Sequence, residues 1–470
     1  MAQFNMKMIF SRLGLLLWVT MVPSLCLGGT KTLPNALYSF TNGADGSQPY
    51  AGLALGNDGN FYGTCLEGGS NYFGSVFKIT PGGALTPLYA FGFIDGSQPT
   101  AALVQGSDGN FYGTTFEGGT SIEFGAEYGY GTVFQISTNG DFNSLYSFTN
   151  GIDGGSPYAG LAQGANGAYY GTTVYGGISG DGAVFQITSD GALTPLYSFT
   201  NGVDGSQPRA ALTLASDGSF YGTTYEGGSD GLGVVFHLTA AGALTPLHSF
   251  KSGSEGANPL GQMLQWTNGL LYGTTYTGGS NNFGTVFKIT TGGSLTTLYS
   301  FTNGIDGANP GSGLALGNDG NFYGTTYGGG PYGYGGIYKI TPQGALTSLY
   351  LFTGGNDGLS SYAALAQGND GDFYGTTTQG GGSKDDGVVF KLNAYSTAPI
   401  LASVTRSAGT IAFTWLGLPG QSYQAQYATN LNQTTWSNLG SAVTATNGIG
   451  SQTDSAAGST RRFYRVYLIP

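Results

Sequence analysis

Residues 58–64 read Asp-Gly-Asn-Phe-Tyr-Gly-Thr, and closely similar heptapeptides recur along the chain. An aromatic stretch that directly follows an Asp-Gly pair is typical of the second strand of a β-hairpin. The period of about 51 residues predicts a tandem array of one small unit, which cannot bury its apolar faces alone. The tyrosine of the Tyr-Gly-Thr motif occurs at Tyr62, Tyr112, Tyr170, Tyr221, Tyr272, Tyr323 and Tyr374.

Each unit is predicted to contain four short strands. In the first unit they span residues 51–55, 60–64, 75–80 and 85–91, and turn-forming Gly, Asn and Asp residues separate them. The Asp-Gly pair between the first two strands predicts a tight turn with positive φ at both central residues. The glycine of Tyr-Gly-Thr predicts a close backbone approach from a neighbouring unit. The aromatic residues of the recurring Val-Phe-Lys-Ile and Leu-Tyr-Ser-Phe motifs are predicted to be core residues.

The two ends of the array complement each other. The seventh unit has predicted strands at 363–367, 372–377 and 387–393, but it lacks a final Leu-Tyr-Ser-Phe strand. A surplus copy of that motif stands ahead of the first unit, at residues 37–40. We therefore predict an all-β fold in which an N-terminal strand at 35–40 completes the seventh sheet and closes a seven-bladed β-propeller.

The motifs resemble a known family of repeats. Leu-Tyr-Ser-Phe-Thr-Asn-Gly-x-Asp-Gly, Asp-Gly-Asn-Phe-Tyr-Gly-Thr-Thr, Glu-Gly-Gly-Ser and Gly-Thr-Val-Phe-Lys-Ile-Thr together look like the GloVer tandem repeat of exported bacterial proteins, over residues 34–393. The resemblance implies a bacterial protein that is exported. Members of that family carry different C-terminal sorting or anchoring elements, and the resemblance assigns the repeat no biochemical role.

The N-terminal segment predicts export. Lys7 and Arg12 precede an apolar run at residues 13–25, a pattern typical of a secretory signal peptide, which we place at residues 1–28. No later apolar stretch is long enough to cross a bilayer. We therefore expect a secreted or cell-surface protein with no transmembrane segment after removal of the signal, and a propeller domain at residues 29–398.

A different pattern begins after the last repeat. Residues 399–470 are rich in Thr, Ser and Asn and resemble a fibronectin type III-like β-sandwich of bacterial surface proteins. The predicted strands are 411–415, 422–427, 441–446 and 462–468, and the predicted small core consists of Trp415, Tyr423, Trp436 and Tyr464.

Composition excludes several classes of protein. The net charge is −11, and the 14 basic residues form no cluster, so a nucleic-acid partner is not expected. Aromatic residues make up 14 % of the chain, which argues against disorder. Only Cys65 remains once the predicted signal peptide is removed, so no internal disulfide is expected. We expect a monomer that is stabilised by packing.

The long loops are the predicted ligand site. In a four-strand meander, the loop before the first strand and the loop between the second and third strands emerge on the same face. Exposed aromatic rings in such loops are suited to stack on sugar rings or on a protein partner. The candidate ligand-binding residues, including those of a seven-residue insertion in the second unit, are Tyr72, Phe124, Tyr128, Tyr130, Phe283, Tyr332 and Tyr334.

The recurring loop acids and the two histidines have simpler interpretations than calcium binding or catalysis. One loop acid per unit is too few for a calcium site, and an Asp before Gly usually caps its own turn, so neither a metal nor a cofactor is expected. His237 and His248 replace other residues at repeat positions, which disfavours a catalytic triad. The recurring loop acids of this kind are Asp45, Asp95, Asp153, Asp204, Glu255, Asp306 and Asp357.

Three hypotheses for the function follow. The first is a non-enzymatic binding protein that recognises a glycan or a cell-surface protein through its long-loop face. The second is a carbohydrate-active enzyme, a glycosidase or lyase, on the same scaffold. The third is a purely structural surface component. The acids available to the second hypothesis are Glu67, Glu117, Glu123, Glu127 and Glu226.

Overall fold

The computed structural model describes residues 34–121, 128–251, 253–393, 400–407, 410–416, 422–429, 435–445, 449–455 and 462–468. The predicted signal peptide therefore lies outside the described residues. The described parts of the chain contain β-strands and no α-helix, and hence no helix that is long and apolar enough to cross a membrane. The fold is all-β, and the chain divides into two compact units, one of which is Leu33–Leu392.

The larger unit consists of four-stranded antiparallel sheets in which consecutive strands are neighbours. We number these sheets 1 to 7 by their Tyr-Gly-Thr motifs. Sheets 1 to 3 are formed by Ala54–Leu55, Phe61–Cys65, Ser75–Ile79 and Leu85–Ala90; by Val104–Gln105, Phe111–Thr115, Thr132–Ile136 and Phe142–Ser147; and by Ala162–Gln163, Tyr169–Thr173, Ala183–Ile187 and Leu193–Ser198.

The remaining sheets of this unit follow the same pattern. Sheets 4 to 6 are formed by Thr213–Leu214, Phe220–Thr224, Val234–Leu238 and Leu244–Ser249; by Leu264–Gln265, Leu271–Thr275, Thr285–Ile289 and Leu295–Ser300; and by Ala315–Leu316, Phe322–Thr326, Gly336–Ile340 and Leu346–Leu351. Sheet 7 contains Ala366–Gln367, Phe373–Thr377 and Val388–Leu392, and its fourth strand is Asn35–Ser39.

The N-terminal strand completes sheet 7, as the sequence predicts. Asn35–Ser39 is antiparallel to Val388–Leu392, with Asn35 opposite Lys391. Phe40, which follows this strand, is 1 % exposed and belongs to a buried cluster that contains residues of sheets 1 and 7. The first and last parts of the repeat array therefore share one sheet and one core.

Neighbouring sheets pack through a repeated aromatic contact. The tyrosine of Tyr-Gly-Thr in one sheet lies on the ring that precedes Tyr-Gly-Thr in the next sheet. The centroids of Tyr62 and Phe111 are 4.0 Å apart, and those of Tyr374 and Phe61 are 4.1 Å apart. The second of these contacts joins sheet 7 to sheet 1. This packing explains why both positions are aromatic in almost every repeat.

The threonine of Tyr-Gly-Thr links neighbouring sheets through a hydrogen bond. Oγ1 of Thr64 donates to the carbonyl of Ala101, and Oγ1 of Thr376 donates to the carbonyl of Ala51 at 2.9 Å. In sheet 4, the hydroxyl of Thr223 is buried without a hydrogen-bond partner among the described residues. The motif therefore provides one stacking ring and, in most sheets, one polar link to the next sheet.

The structure corrects several details of the predicted unit. At Asp58-Gly59 only the glycine has positive φ, and its N–H donates to the carbonyl of Gly56, so the turn is not the predicted type. A Cβ at Gly63 would lie 2.5 Å from the ring of Phe77 in the adjacent strand of the same sheet, so an aromatic side chain makes the close approach. The tyrosine of Leu-Tyr-Ser-Phe is mostly half-buried rather than a core residue.

The second unit contains the described residues after Asn393. This unit has two sheets. One cluster of buried side chains contains residues from both sheets, including Trp415, Tyr423 and Tyr464. Trp436 lies outside that cluster, because its ring is partly exposed under the guanidinium of Arg465. The two sheets consist of Ile400–Ser407, Thr410–Leu416 and Ile449–Asp454, and of Ser422–Ala428 paired with Ser437–Asn438, Val443–Thr444 and Phe463–Leu468.

Candidate functional site

The two long loops of each repeat are joined to each other. In the first repeat the N–H of Ser47 donates to the carbonyl of Glu67 at 2.9 Å, and the N–H of Glu67 donates back to Ser47. Equivalent bridges occur in the other six repeats. The loops of neighbouring repeats are also linked, since the N–H of Gln98 donates to the carbonyl of Phe73. The long loops therefore form one hydrogen-bonded rim, as expected from the strand order.

A groove of about 220 Å³ opens in this rim between the loops of sheets 1 and 2. Two of its rings are strongly exposed: Tyr72 at 73 % and Tyr128 at 60 %. We call it the rim groove. Its lining residues are Leu66, Glu67, Tyr72, Phe73, Phe93, Ser97, Gln98, Glu117 and Tyr128.

Two carboxylates lie in the rim groove beside the aromatic rings. Nε2 of Gln48 donates to Glu67 at 3.1 Å, and Nε2 of Gln98 donates to Glu117 at 2.9 Å. Burial raises the pKa of Glu117. Neither carboxylate forms an ion pair with a described residue. The groove thus presents flat apolar faces together with hydrogen-bond acceptors and amide groups.

The predicted ligand-binding residues divide between the rim groove and other places. Tyr72 and Tyr128 line the groove together. Tyr130 packs against the buried cluster between sheets 2 and 3, and Phe283 packs against the cluster between sheets 5 and 6. Tyr332 and Tyr334 stack on each other in the loop of sheet 6, with ring centroids 6.3 Å apart, and Phe124, like Glu123 and Glu127, lies outside the described residues.

The recurring loop acids bind their own turns. Oδ1 of Asp45 accepts hydrogen bonds from the hydroxyl of Thr41 and the N–H of Gly43, and Oδ2 accepts from the N–H of Thr41 and the hydroxyl of Tyr38. Both oxygens are thus occupied within the loop. Among the described residues, no group of three or more His, Cys, Asp or Glu side chains is arranged to hold a metal ion.

The two histidines occupy ordinary repeat positions. His237 lies in the third strand of sheet 4, and its ring meets the ring of Tyr221 edge-on. Nε2 of His248 lies 3.0 Å from Oε2 of Glu255, which corresponds to the Tyr38 and Asp45 contact of the first repeat. Both histidines are therefore parts of the scaffold.

Sequence reasoning missed some residues of the rim. Phe73 and Phe93 line the rim groove, and their rings are 5.4 Å apart. A signal for Phe93 was available, because the second repeat reads Phe-Gly-Phe-Ile-Asp where most others read Phe-Thr-Asn-Gly-x-Asp. A group of tyrosines around Arg209 was missed as well. Its members occupy two repeat positions, one four residues before the first strand and one directly after the second strand, and residue type varies at both positions.

Comparison with known proteins identifies a family of repeats. The model of the Gloeobacter/Verrucomicrobia repeat matches residues 26–123, 121–317 and 216–442. No curated protein matches the chain. These three matches cover most of the chain, including all of the described sheets of the larger unit.

Solved structures resemble the chain at low identity, and the first of those described here shares its propeller-like fold. The extracellular domain of a hybrid two-component system from B. thetaiotaomicron has a TM-score of 0.50 and 12 % identity, with 90 % of this chain and 53 % of that chain covered. This chain thus spans about half of that protein's length. A 6-phosphogluconolactonase from Bacteroides uniformis has a TM-score of 0.46 and 14 % identity, with 84 % of this chain and 100 % of that chain covered. An ulvan lyase has a TM-score of 0.44 and 9 % identity, with 76 % of this chain and 95 % of that chain covered.

Proposed function

The chain belongs to the Gloeobacter/Verrucomicrobia repeat family, and from that premise we propose that it is an exported binding protein whose closed seven-bladed propeller recognises a glycan through the rim groove. The single observation that supports this function best is the pairing of Tyr72 and Tyr128, two strongly exposed rings, in one groove with two carboxylates. Aromatic faces and acceptor groups side by side are the chemistry that binds the apolar face and the hydroxyls of a sugar.

Ring closure supports the scaffold of this proposal. The pairing of Asn35–Ser39 with Val388–Leu392 and the contact between Tyr374 and Phe61 join the last sheet to the N-terminus and to sheet 1. A closed ring leaves no unpaired inter-sheet face, so the loops are carried on a rigid base. Rigid loops lose little conformational freedom on binding, which favours recognition without rearrangement.

The size of the rim groove favours part of a polymer over a free small molecule. At about 220 Å³ it is smaller than the roughly 300–1,000 Å³ that is typical of small-molecule pockets. One sugar unit of a longer chain suits such a volume, with the rest of the polymer running over the rim. A protein ligand that inserts one side chain is the competing occupant.

Export and the C-terminal unit belong to the same proposal. We propose that residues 1–28 direct secretion, and that residues 399–470 form a fibronectin type III-like sandwich that spaces or attaches the propeller, residues 29–398, at the cell surface. The buried cluster shared by the two C-terminal sheets supports a sandwich. A monomeric protein is the expected state.

A carbohydrate-active enzyme is the second candidate, and one observation favours it. Glu67 and Glu117 line the same groove, and burial raises the pKa of Glu117, as general-acid carboxyls require. Release of reducing ends from polysaccharides by the wild-type protein, and its loss in Glu117→Gln, would support this candidate. The third candidate, a purely structural component, predicts that no glycan is retained.

The test is retention of the full chain on a glycan array. Tyr72→Ala and Tyr128→Ala should each reduce binding at least tenfold, because each removes a stacking face. Tyr332→Ala is the matched control, since Tyr332 is 62 % exposed on a loop outside the groove. Binding that is unchanged in both groove variants, or equally reduced in the control, would overturn the proposal.

A further inference from the structure

Loop side chains from six of the seven repeats lie close together in the larger unit. Tyr50 stacks on Tyr362 with centroids 4.6 Å apart, and the hydroxyls of Tyr50 and Tyr158 are 2.5 Å apart. Tyr362 also lies against Tyr276 and Tyr327. We call this group, together with Arg209, the axial cluster. Its members are Tyr50, Tyr158, Arg209, Tyr225, Tyr276, Tyr327 and Tyr362.

The position of the axial cluster follows from the strand order. The first strand of each sheet is an edge strand, and the first strands of sheets 3 and 4, of sheets 6 and 7, and of sheets 7 and 1 contact one another. First strands therefore line the axis around which the sheets are arranged. The cluster residues either stand four positions before a first strand or directly follow a second strand, so they lie at the long-loop end of that axis.

Arg209 is the only arginine in residues 34–392. Its guanidinium lies 4.2 Å from the ring centroid of Tyr225 and 6.0 Å from that of Tyr158. Among the described residues it forms no ion pair, and Nε has no hydrogen-bond partner. Nη2 donates to Gln207 at 2.7 Å. A guanidinium has five N–H donors, and the one on Nε is buried, so the Nη donors that do not bind Gln207 are left for a ligand.

Every tyrosine of the axial cluster is partly exposed, so a ligand has access to part of each residue. Burial raises the pKa of Tyr50, Tyr158, Tyr276 and Tyr362, which keeps these phenols protonated as hydrogen-bond donors. The nearest carboxylate along the hydrogen bonds of Arg209 is Glu226, which is reached only through Gln207.

These features select the charge and shape of a ligand. A cage of tyrosines alone attracts cations, but the fixed positive charge of Arg209 repels them. Its free donors match a carboxylate or a sulfate, and the flat rings around it match the face of a sugar ring. We propose that the axial cluster is a second binding site, separate from the rim groove, for an acidic sugar residue whose anionic group pairs with Arg209 while its ring stacks on the tyrosines.

Calorimetric titration of the full chain tests this site with three probes: trigalacturonic acid, its fully methyl-esterified form, and a sulfated galactose trisaccharide. The acid and the ester have the same rings and nearly the same size, and they differ in negative charge. Because the proposed site pairs an anionic group with Arg209, only the acid should bind. Comparison of the acid with the sulfated probe identifies whether a carboxylate or a sulfate is preferred. Failure of both acidic probes to bind, or equal binding of the ester, would overturn the proposal.

Substitutions assign the binding to Arg209. Arg209→Gln should weaken binding of the acidic probe at least tenfold, and Arg209→Lys should retain part of the affinity because it keeps the charge. Lys288→Gln, in the third strand of sheet 5, removes the same charge elsewhere and should have no effect. Thermal unfolding of each variant identifies any loss of fold, and the partial rescue by lysine separates lost charge from lost structure.

The outcome is independent of the rim groove. Tyr72→Ala should leave the affinity for the acidic probe unchanged, because none of the residues that line the groove belongs to the axial cluster. Acidic binding that depends on Tyr72 and not on Arg209 would overturn the axial site while supporting the groove. The reverse result would support the axial site alone.

Discussion

The hydroxyl of Tyr38 donates a hydrogen bond to Oδ2 of Asp45 at 3.0 Å, and this contact ties a strand of a sheet to the long loop that follows it. Asp45 also accepts hydrogen bonds from the N–H groups of Thr41 and Gly43 in its own loop. The tyrosine therefore attaches an ordered turn to the strand. The long-loop face therefore depends on the strands beneath it. The same contact recurs between Tyr89 and Asp95, Tyr146 and Asp153, Tyr197 and Asp204, Tyr299 and Asp306, and Tyr350 and Asp357.

Stability should therefore fall at alkaline pH. Burial and the bond to Asp45 raise the pKa of Tyr38 to about 12, and Tyr197 is raised to about 12 in the same way. An unfolded tyrosine ionises near pH 10, so the unfolded chain releases protons that the folded chain retains. The contribution is complete below pH 10 and is lost as the pH rises toward 12. Urea titrations at pH 9, 10 and 11 should show a falling free energy of unfolding.

The control for this prediction is Tyr38→Phe. Phenylalanine lacks the hydroxyl, so the variant loses the hydrogen bond and its free energy of unfolding at pH 8 should be about 1 kcal/mol lower than that of the wild type. Because phenylalanine cannot ionise, the free energy of unfolding of the variant should also decline less steeply above pH 10. A variant whose unfolding free energy declines as steeply as the wild type would contradict the role assigned to the tyrosine.

The fifth repeat offers a natural exchange of the same contact. His248 and Glu255 replace the tyrosine and aspartate, and the longer glutamate reaches the shorter imidazole at 3.0 Å. His248→Tyr alone and Glu255→Asp alone should each destabilise the fold by about 0.5–1 kcal/mol, because each mismatches the partner. The double variant restores the common pair and should recover most of that loss. A double-mutant cycle with no coupling energy would show that the two positions do not act together.

The threonine link between sheets gives a prediction with an internal control. The hydroxyl of Thr376 donates to the carbonyl of Ala51, and Thr376 and Thr223 are both buried. Thr376→Val should cost about 1–2 kcal/mol, because it leaves that carbonyl unpaired. Thr223→Val should be neutral or slightly stabilising, because the hydroxyl of Thr223 has no partner to lose. Equal effects of the two substitutions on the urea midpoint would mean that the link contributes nothing.

The strands were predictable because their signal is local and repeated. The second, third and fourth strands of the first sheet start and end within one residue of their predicted limits. The first strand was overestimated, since residues 51–55 were expected and only Ala54–Leu55 is a strand. The preceding segment runs against the neighbouring sheet, where a Cβ on Gly52 would lie 2.9 Å from the carbonyl oxygen of Ala364. That contact depends on packing between sheets, which periodicity does not encode.

The sites were less predictable than the fold. The rule that aromatic residues in long loops bind a ligand selected Tyr72 and Tyr128, which line the rim groove, and it also selected Tyr130 and Phe283, which pack against the interior. A loop ring is drawn inward or left exposed by its neighbours in space, and sequence spacing does not specify them. The axial cluster was missed because its residues are far apart in the chain. Tyr50 and Tyr158 meet across 108 residues only because the ring of sheets brings them together.

The N-terminal strand provides the strictest test of ring closure. Phe40 is 1 % exposed, and Phe199 occupies the equivalent position of sheet 3 with 0 % exposure. If the N-terminal strand is an integral part of sheet 7, both alanine substitutions remove the same buried ring and should each cost about 3–5 kcal/mol. If the N-terminal strand is only loosely docked, Phe40→Ala should lower the free energy of unfolding much less than Phe199→Ala does. Urea denaturation of the two variants side by side measures the difference, and a cost below about 1 kcal/mol for Phe40→Ala would contradict closure by this strand.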